Sequence, residues 1–235
     1  MKFKIKKQKI GFILQKYMLH NKEIIENPVP ARTLTPQWYK DIPYYEGNNQ
    51  YIHDIGNGLT VKACVPFLDA LNFGYFILTS EDIQVSQQFS EPRISWRQDP
   101  EPIKARKNHE YLQQPLGCSK TQFAWNLPYG IKLPKGYSAL LTHPLNRNDL
   151  PFITSSGVID DGVDWGGNIS FWIKDNFEGI IPVGTPIVQI MPFKREGWQL
   201  EIRDDLINDA KLSGEKIKKY RAGYKKYIHK KKNFN

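Results

Sequence analysis

Residues 157–189, with the sequence GVIDDGVDWGGNISFWIKDNFEGIIPVGTPIVQ, decide the fold. Three short apolar runs begin in this segment, Gly157–Ile159, Asn168–Lys174 and Thr185–Met191, with glycine, proline and acidic residues between them, and the third continues two residues past the segment. Apolar positions at a period near two, bounded by turn residues, are typical of β-strands. The segment therefore predicts three strands of a β core.

Working outward from this segment, the same pattern of short apolar runs and turn residues recurs upstream. The stretch 97–122 is polar and has little pattern, which predicts a long loop. Many short strands at such spacing favour a mainly β fold of the sandwich or jelly-roll type. The further predicted strands are Leu59–Val65, Gly74–Leu78, Asp82–Ser86, Gln88–Trp96 and Ser138–Thr142.

The pattern divides the chain into three parts. Residues 1–50 are predicted to hold an N-terminal edge strand, from the alternation of lysine and apolar residues, and then an extended arm rich in proline and aromatic residues rather than a helix. Residues 51–203 are predicted to be the β core domain. Residues 204–235 favour a basic C-terminal helical tail.

The tail has three interpretations. One is a solvated helix end, and another is docking of a stripe of aromatic residues onto the body or onto a neighbouring subunit. Ile217, Tyr220, Tyr224, Tyr227 and Ile228 share one face of a predicted helix. The third interpretation is sequence-independent contact with nucleic acid, in which tyrosines stack on bases. The basic side chains available for it are Lys216, Lys218, Lys219, Arg221, Lys225 and Lys226.

The formal charge of +9 is concentrated at the two ends of the chain. Residues 1–9 contribute +5, residues 211–235 contribute +9, and residues 10–210 together carry −5. A basic isoelectric point therefore describes the termini. The charge pattern argues against a folded body that itself binds nucleic acid.

Targeting signals and cysteine use favour the cytoplasm. The basic N-terminus is not followed by a long apolar stretch, and no run approaches the length of a membrane span. The two cysteines, Cys64 and Cys118, are interpreted as reduced core thiols. We therefore expect a protein made and kept in a reducing cytosol, with no contact with membranes.

Several common chemistries have no signature in the sequence. No glycine-rich loop is followed by Lys-Ser/Thr, and no strand leads into a dinucleotide-binding glycine cluster. None of the five histidines pairs with another histidine or a cysteine at metal-ligand spacing. No cofactor, no metal and no intact catalytic site are predicted.

Gly157-Val158-Ile159-Asp160, followed by Gly184-Thr185-Pro186-Ile187-Val188-Gln189, resembles the deoxyuridine triphosphatase family. The spacing of the two elements matches that family, Trp172 falls on a common tryptophan, and Leu133–Tyr137 resembles its Pro-x-Gly turn. The resemblance covers about a quarter of the chain. It implies a β-clip-like core.

For activity, the resemblance implies that Asp160 orients the attacking water or binds the sugar hydroxyl. The family places a sugar-stacking tyrosine where this chain has Val163. Only Pro144–Arg147 resembles the family's phosphate loop, and the resemblance is weak. The C-terminus has lysines where the family has a glycine-rich arm that closes over the nucleotide. The alternative function is therefore nucleotide hydrolysis through Asp160, and Asp160 has a second interpretation as a turn residue between strands.

Four segments resemble an uncharacterised family of tailed bacteriophages, over nearly the whole chain. The resemblance implies a phage origin and no particular activity. The leading hypothesis is a phage-type binding or structural protein, in the cytoplasm of the bacterial host or in the virion, with protein partners or as a homo-oligomer. The segments are Pro36–Lys40, Lys62–Asp69, Pro134–Ser138, and Phe177–Ile180 continuing to Pro192–Glu196.

Overall fold

The computed structural model describes residues 8–46, 58–97, 101–106, 113–162, 166–219 and 223–235. Most of its regular structure is β. The strands in these ranges are β1 (Gly11–Leu14), β2 (Val29–Pro30), β3 (Tyr75–Leu78), β4 (Ile83–Gln88), β5 (Glu91–Ser95), β6 (Ile103–Ala105), β7 (Cys118–Asn126), β8 (Tyr129–Lys132), β9 (Tyr137–Thr142), β10 (Phe152–Thr154), β11 (Gly157–Asp160), β12 (Asn168–Lys174), β13 (Gly179–Ile181) and β14 (Pro186–Lys194).

The described α-helices are α1 (Gln37–Asp41), α2 (Val65–Asn72), α3 (Ile207–Lys219) and α4 (Gly223–Tyr227). Short 3-10 helices lie at Lys16–Asn21, Ala31–Leu34, Val61–Ala63 and Asp204–Leu206. No helix in the described ranges is long and apolar enough to cross a membrane. The predicted mainly β fold with a C-terminal helix is confirmed.

The strands form antiparallel sheets. A five-stranded sheet has the order β11-β9-β14-β3-β2, and a four-stranded sheet has the order β10-β12-β7-β6. A three-stranded sheet, β13-β4-β5, and a β1-β8 pair complete the described pairings. All three strands predicted from residues 157–189 are present, and β14 extends to Lys194.

The main core contains residues of the four-stranded and five-stranded sheets. Its centre is a stack of Trp125 and Phe171, whose ring centroids are 3.7 Å apart, with Phe152 edge-on to both rings. A hydrogen-bond relay crosses the core: Trp125 Nε1 donates to Thr154 Oγ1, which donates to the Ile187 carbonyl at 2.9 Å. The relay satisfies the polar groups that the tight packing would otherwise leave without partners.

Two predictions between residues 59 and 122 are wrong. The strand predicted at Leu59–Val65 contains a 3-10 turn capped by the Thr60 hydroxyl, and α2 begins at its end with Pro66 in the first turn. Proline is preorganised for that helical position. The long loop predicted at 97–122 contains β6 and the first residues of β7.

The N-terminal part also departs from prediction. Residues 1–7 and 47–57 lie outside the described ranges, so the edge strand expected near Met1–Lys9 is not tested, and β1 begins at Gly11. The predicted arm is not continuously extended, because it forms a 3-10 helix at Ala31–Leu34 and the helix α1. Pro30 and Pro36 are the N-cap residues of these two helices. The N–H of a residue at this position has no hydrogen-bond partner within the helix, so proline loses no helical hydrogen bond there.

Candidate functional site

Asp160 ends β11, and its carboxylate is held by two neighbours. Ser138 Oγ donates to Asp160 Oδ1 at 2.6 Å, and Arg195 Nη1 reaches the same oxygen at 3.2 Å. The next residue, Asp161, accepts from the Gly136 N–H at 2.6 Å and from Arg195 Nη2 at 2.9 Å. The cluster joins the end of β14 to the turn before β9, because Arg195 N also donates to the Gly136 carbonyl.

These contacts keep both carboxyls ionised. The Ser138 hydroxyl, and then Arg195, lower the pKa of Asp160. The Gly136 N–H, and then Arg195, lower the pKa of Asp161, while Asp161 raises the pKa of Arg195. A carboxylate with a lowered pKa is a weaker base, so the geometry favours an exposed structural clamp over a general base.

We expect no hydrolysis of deoxyuridine triphosphate above background in the presence of magnesium. The Asp160 carboxylate is engaged by Ser138 and Arg195, and the Arg147 side chain, in the segment compared with the phosphate loop, is engaged by Asp149. Loss of one strong transition-state donor typically lowers a rate on the order of 100-fold or more. Phosphate release by the purified protein measures this. Turnover that is abolished in Asp160→Asn but retained in the control Asp82→Asn would contradict the prediction.

The segment Pro144–Arg147 is tied to the body by other contacts. Arg147 forms a two-pronged pair with Asp149, with N–O distances from 2.9 to 3.1 Å. The Leu145 N–H donates to Gln189 Oε1 at 2.7 Å. Within the described residues, none of these contacts includes Asp160, so the structure does not bring the two predicted site elements together.

His143 is partly buried beside this segment. Its Nδ1 accepts a hydrogen bond from the Thr154 N–H, so its Nε2 carries the proton and donates to the Arg147 carbonyl. Burial lowers the pKa of His143. His143 is therefore a neutral core hydrogen-bonder. Among the described residues, no group of three or more His, Cys, Asp or Glu side chains is placed to hold a metal ion.

Two segments quoted for the phage-family resemblance meet in the structure. The rings of Tyr39 and Phe67 stack with centroids 5.9 Å apart, and Trp38 lies edge-on to both. Lys62 Nζ lies 4.8 Å from the Tyr39 ring centroid and donates to the Tyr39 carbonyl. The neighbouring Cys64 is exposed, so the interpretation of that thiol as a core residue is wrong.

The end of the tail docks onto the body. The Asp69 carboxylate contacts His229 Nε2 at 3.1 Å and Lys232 Nζ at 2.5 Å. The Phe234 ring packs edge-on against Phe73 and Tyr75, with centroids 4.7 and 5.8 Å away. The C-terminal residues 229–235 therefore form a strap across α2 and β3.

The predicted tyrosine stripe is wrong in part. Tyr224 is partly buried, whereas Tyr227 is 40% exposed and lies under Lys226. Tyr220, Arg221 and Val163 lie outside the described residues. The described part of α3 ends at Lys219, and the first residue of α4, Gly223, packs closely against α3. A β-carbon on Gly223 would lie 2.1 Å from the Ile217 carbonyl oxygen. The two helices therefore do not present one continuous helical face.

Between β14 and α4 the chain forms a feature that the sequence reasoning missed. Trp198, Leu200 and Ile202 lie on irregular backbone and are 88%, 91% and 82% exposed. We call residues 196–212 the apolar arm. Leu206, Ile207 and Leu212, farther along it, are also exposed. A period-two apolar pattern from 198 to 202 was the available signal, but such a pattern normally indicates a buried strand face.

A second exposed apolar surface lies on the five-stranded sheet. The register places Met191, Leu140 and Val158 in one row across β14, β9 and β11, with Phe193 and Asp160 in the next row. We call Leu140, Val158, Met191 and Phe193 the outer sheet face. Val158 is 62% and Phe193 44% exposed. The opposite face of the same strands packs into the core through Ala139, Leu141 and Ile190.

No protein-family model and no curated protein sequence matches the chain. Solved structures of dUTPases are similar in fold, at low scores. A mutant dUTPase of Staphylococcus bacteriophage 80alpha has 11% identity and a TM-score of 0.35, with 85% of this chain and 97% of that chain covered. A mutant dUTPase of phage phi11 of S. aureus has 13% identity, a TM-score of 0.33, and coverages of 56% and 82%. The EIAV dUTPase has 12% identity, a TM-score of 0.32, and coverages of 56% and 83%.

Proposed function

We propose that this chain is a phage-type protein with a binding or structural role, and that it works by attaching to other protein chains through the apolar arm. The observation that supports this most directly is the exposure of Trp198, Leu200 and Ile202. Contiguous exposed apolar surface is typical of interaction sites. Tryptophan in particular is enriched among the residues that dominate binding energy.

The free energy of apolar burial favours contact of the arm with a partner. Covering a large apolar side chain is worth roughly 1.5–3 kcal/mol. The arm presents three such side chains that are more than four-fifths exposed. The gain exceeds the cost of roughly 0.5–1.5 kcal/mol for immobilising each side chain. A partner surface is therefore the favourable environment for this segment.

The proposal includes an organisation and a location. Residues 1–50 are the N-terminal part, residues 51–203 the core domain, and residues 204–235 the tail, so the apolar arm spans the boundary between the last two. The protein would act in the cytoplasm of the bacterial host or as a component of the virion. Contact of the tail with nucleic acid stays a prediction: Lys216, Lys218, Lys225 and Lys226 are exposed.

Site-specific photo-crosslinking tests the binding role. We expect a benzoylphenylalanine at position 198 to crosslink in host cells to one protein chain with high yield, because the arm is buried against that partner. The matched control is the same amino acid at Phe89, which is 92% exposed on the turn between β4 and β5. Equal or absent crosslinking at the two positions would contradict the proposed function, whichever proteins are present.

A further inference from the structure

Lysines from both basic ends of the chain line one cleft. Lys9, near the N-terminus, and Lys231 and Lys232, in the strap, lie around a space of about 690 Å³ that we call the end cleft. The two terminal segments carry +5 and +9, and the residues between them carry −5. The fold therefore brings positive charge from segments that are far apart in the sequence to one place on an acidic body.

The floor of the end cleft belongs to the five-stranded sheet. Tyr75, Pro192 and Tyr137 all line the cleft, and they come from β3, β14 and β9. The register places them on one face, because paired positions and positions two apart along a strand share a face. By the spacing of residues and strands, the two tyrosines are roughly 15 Å apart, so they would contact different groups of one ligand.

A group of three rings forms one wall of the end cleft. The Phe234 ring packs edge-on against Phe73 and Tyr75, and all three side chains are partly exposed at the cleft. Edge-to-face contacts of this kind hold aromatic rings in a defined orientation. A planar ligand group would therefore meet rings that are already ordered, which lowers the entropic cost of binding.

Two lysines at the cleft are available to an anionic ligand. Lys9 and Lys231 are exposed, and among the described residues the ion pairs include Lys232 with Asp69 but neither of these two. None of the described residues that line the cleft is acidic. A negatively charged group in the cleft would therefore be attracted by two ammonium groups that lie beside aromatic rings.

We propose that the end cleft binds single-stranded nucleic acid, with phosphates at Lys9 and Lys231 and unpaired bases stacked on Tyr137 and on the ring group around Tyr75. A positively charged groove with aromatic platforms is the combination that proteins use for single strands. Both kinds of contact are shared by DNA and RNA. The site goes beyond the proposed function and does not depend on it, and it differs from the helix lysines predicted from the sequence.

The aromatic rings distinguish this ligand from others that lysines attract. An acidic protein segment would neutralise Lys9 and Lys231, but aspartate and glutamate side chains have no face that stacks on a ring. A nucleic-acid duplex offers its phosphates, but it keeps its bases stacked on one another and paired. Only a single strand supplies both the charge and the free planar groups that the end cleft is built to hold.

Fluorescence anisotropy of a labelled oligothymidylate of about 12 nucleotides tests the lysines in the full chain. The double variant Lys9→Glu, Lys231→Glu should raise the dissociation constant about 20-fold and reduce the slope of log affinity against log salt by about 1.4, because two phosphate contacts are lost. Lys216→Glu with Lys218→Glu, on the exposed side of α3, is the matched control with the same change in net charge. An equal loss in the two double variants would overturn the proposal, since binding would then be spread over the tail.

The same assay tests stacking. Tyr137→Leu keeps an apolar side chain but removes a platform for a base, so the dissociation constant should rise about tenfold. Tyr227→Leu, in α4, is the matched control and should bind as the wild type does. Melting curves check that both variants are folded. The lysine variants change exposed side chains, so they decide the question if Tyr137→Leu does not fold.

Competition experiments identify the class of ligand. A duplex of equal length should bind at least about tenfold more weakly than the single strand, because its bases are not free to stack. Unlabelled oligothymidylate and oligouridylate distinguish DNA from RNA, and tight binding of either with the expected losses in the variants supports the proposal. No binding by the wild-type chain, equal binding of the duplex, or equal displacement by polyglutamate would each overturn it.

Discussion

Gly74→Ala should lower the free energy of unfolding by at least about 3 kcal/mol. Gly74 connects α2 to β3 with φ +75°, and a β-carbon there would lie 2.0 Å from the Ile190 carbonyl oxygen. A left-handed alanine alone costs about 1–2 kcal/mol. The contact adds to this, because it is with backbone of the adjacent strand β14 and cannot be relieved by rotating a side chain. Urea denaturation of the purified variant measures the loss.

Gly117→Ala is the matched control for this prediction. Gly117 has φ +76°, but a β-carbon there would have no atom within 4 Å. Its substitution should therefore cost only the conformational part, about 1–2 kcal/mol. If the two variants were equally stable, close packing of β3 on β14 would not be the reason why position 74 requires glycine.

Gln189→Leu should destabilise the protein by roughly 3 kcal/mol or more. The Gln189 side chain is fully buried, and its amide bonds three backbone groups. Its Oε1 accepts from the Leu145 N–H, and its Nε2 donates to the carbonyls of Ala70 and Phe73. Leucine fills a similar volume but leaves these groups without their partner, at about 1–3 kcal/mol for each unsatisfied buried group.

Gln122→Leu provides the comparison, because Gln122 is also a buried strand glutamine. Its amide donates one bond, at 2.7 Å, to the Ser170 hydroxyl, which can rotate toward another partner. We expect a loss of about 1 kcal/mol for it. Thermal melting of both variants measures the difference. An equal shift would mean that Gln189 does not link α2 and the segment after β9 to the sheet.

Strands with a clear apolar alternation could be predicted from the sequence, whereas the place of each strand in its sheet could not. Asn168–Lys174 alternates, and it forms β12 at the predicted boundaries. β7 was missed, because Thr121 and Gln122 interrupt its apolar pattern, although it lies in the middle of the four-stranded sheet. In α2, the pattern at Val65 was assigned to a strand because a short apolar run does not by itself distinguish helix from strand.

The candidate site was less predictable than the fold. Asp160 was identified through the family resemblance, and the structure places it beside Arg195 and Ser138, an association that its neighbours in the sequence do not reveal. Trp198, Leu200 and Ile202 have the spacing of a buried strand, and only the structure shows that nothing in the described chain covers them. Burial depends on contacts distant in the sequence, so an apolar pattern cannot distinguish a core strand from a binding segment.

The apolar arm is restrained at its start, and the chain that follows it is tied to the body farther on; in the proposed binding role this changes the entropy of docking. Arg195 holds the start of the arm, and the strap at residues 229–235, which 16 residues separate from Leu212, holds the chain farther on; Pro192 and the strap line one cleft of about 690 Å³. A free tail would lose the conformational freedom of every residue that it orders on a partner. A loop with both ends restrained has already lost part of that freedom, so it binds with a smaller entropic penalty. If the arm binds a partner as proposed, the strap strengthens that docking without touching the partner, as a preorganising constraint on the chain before it.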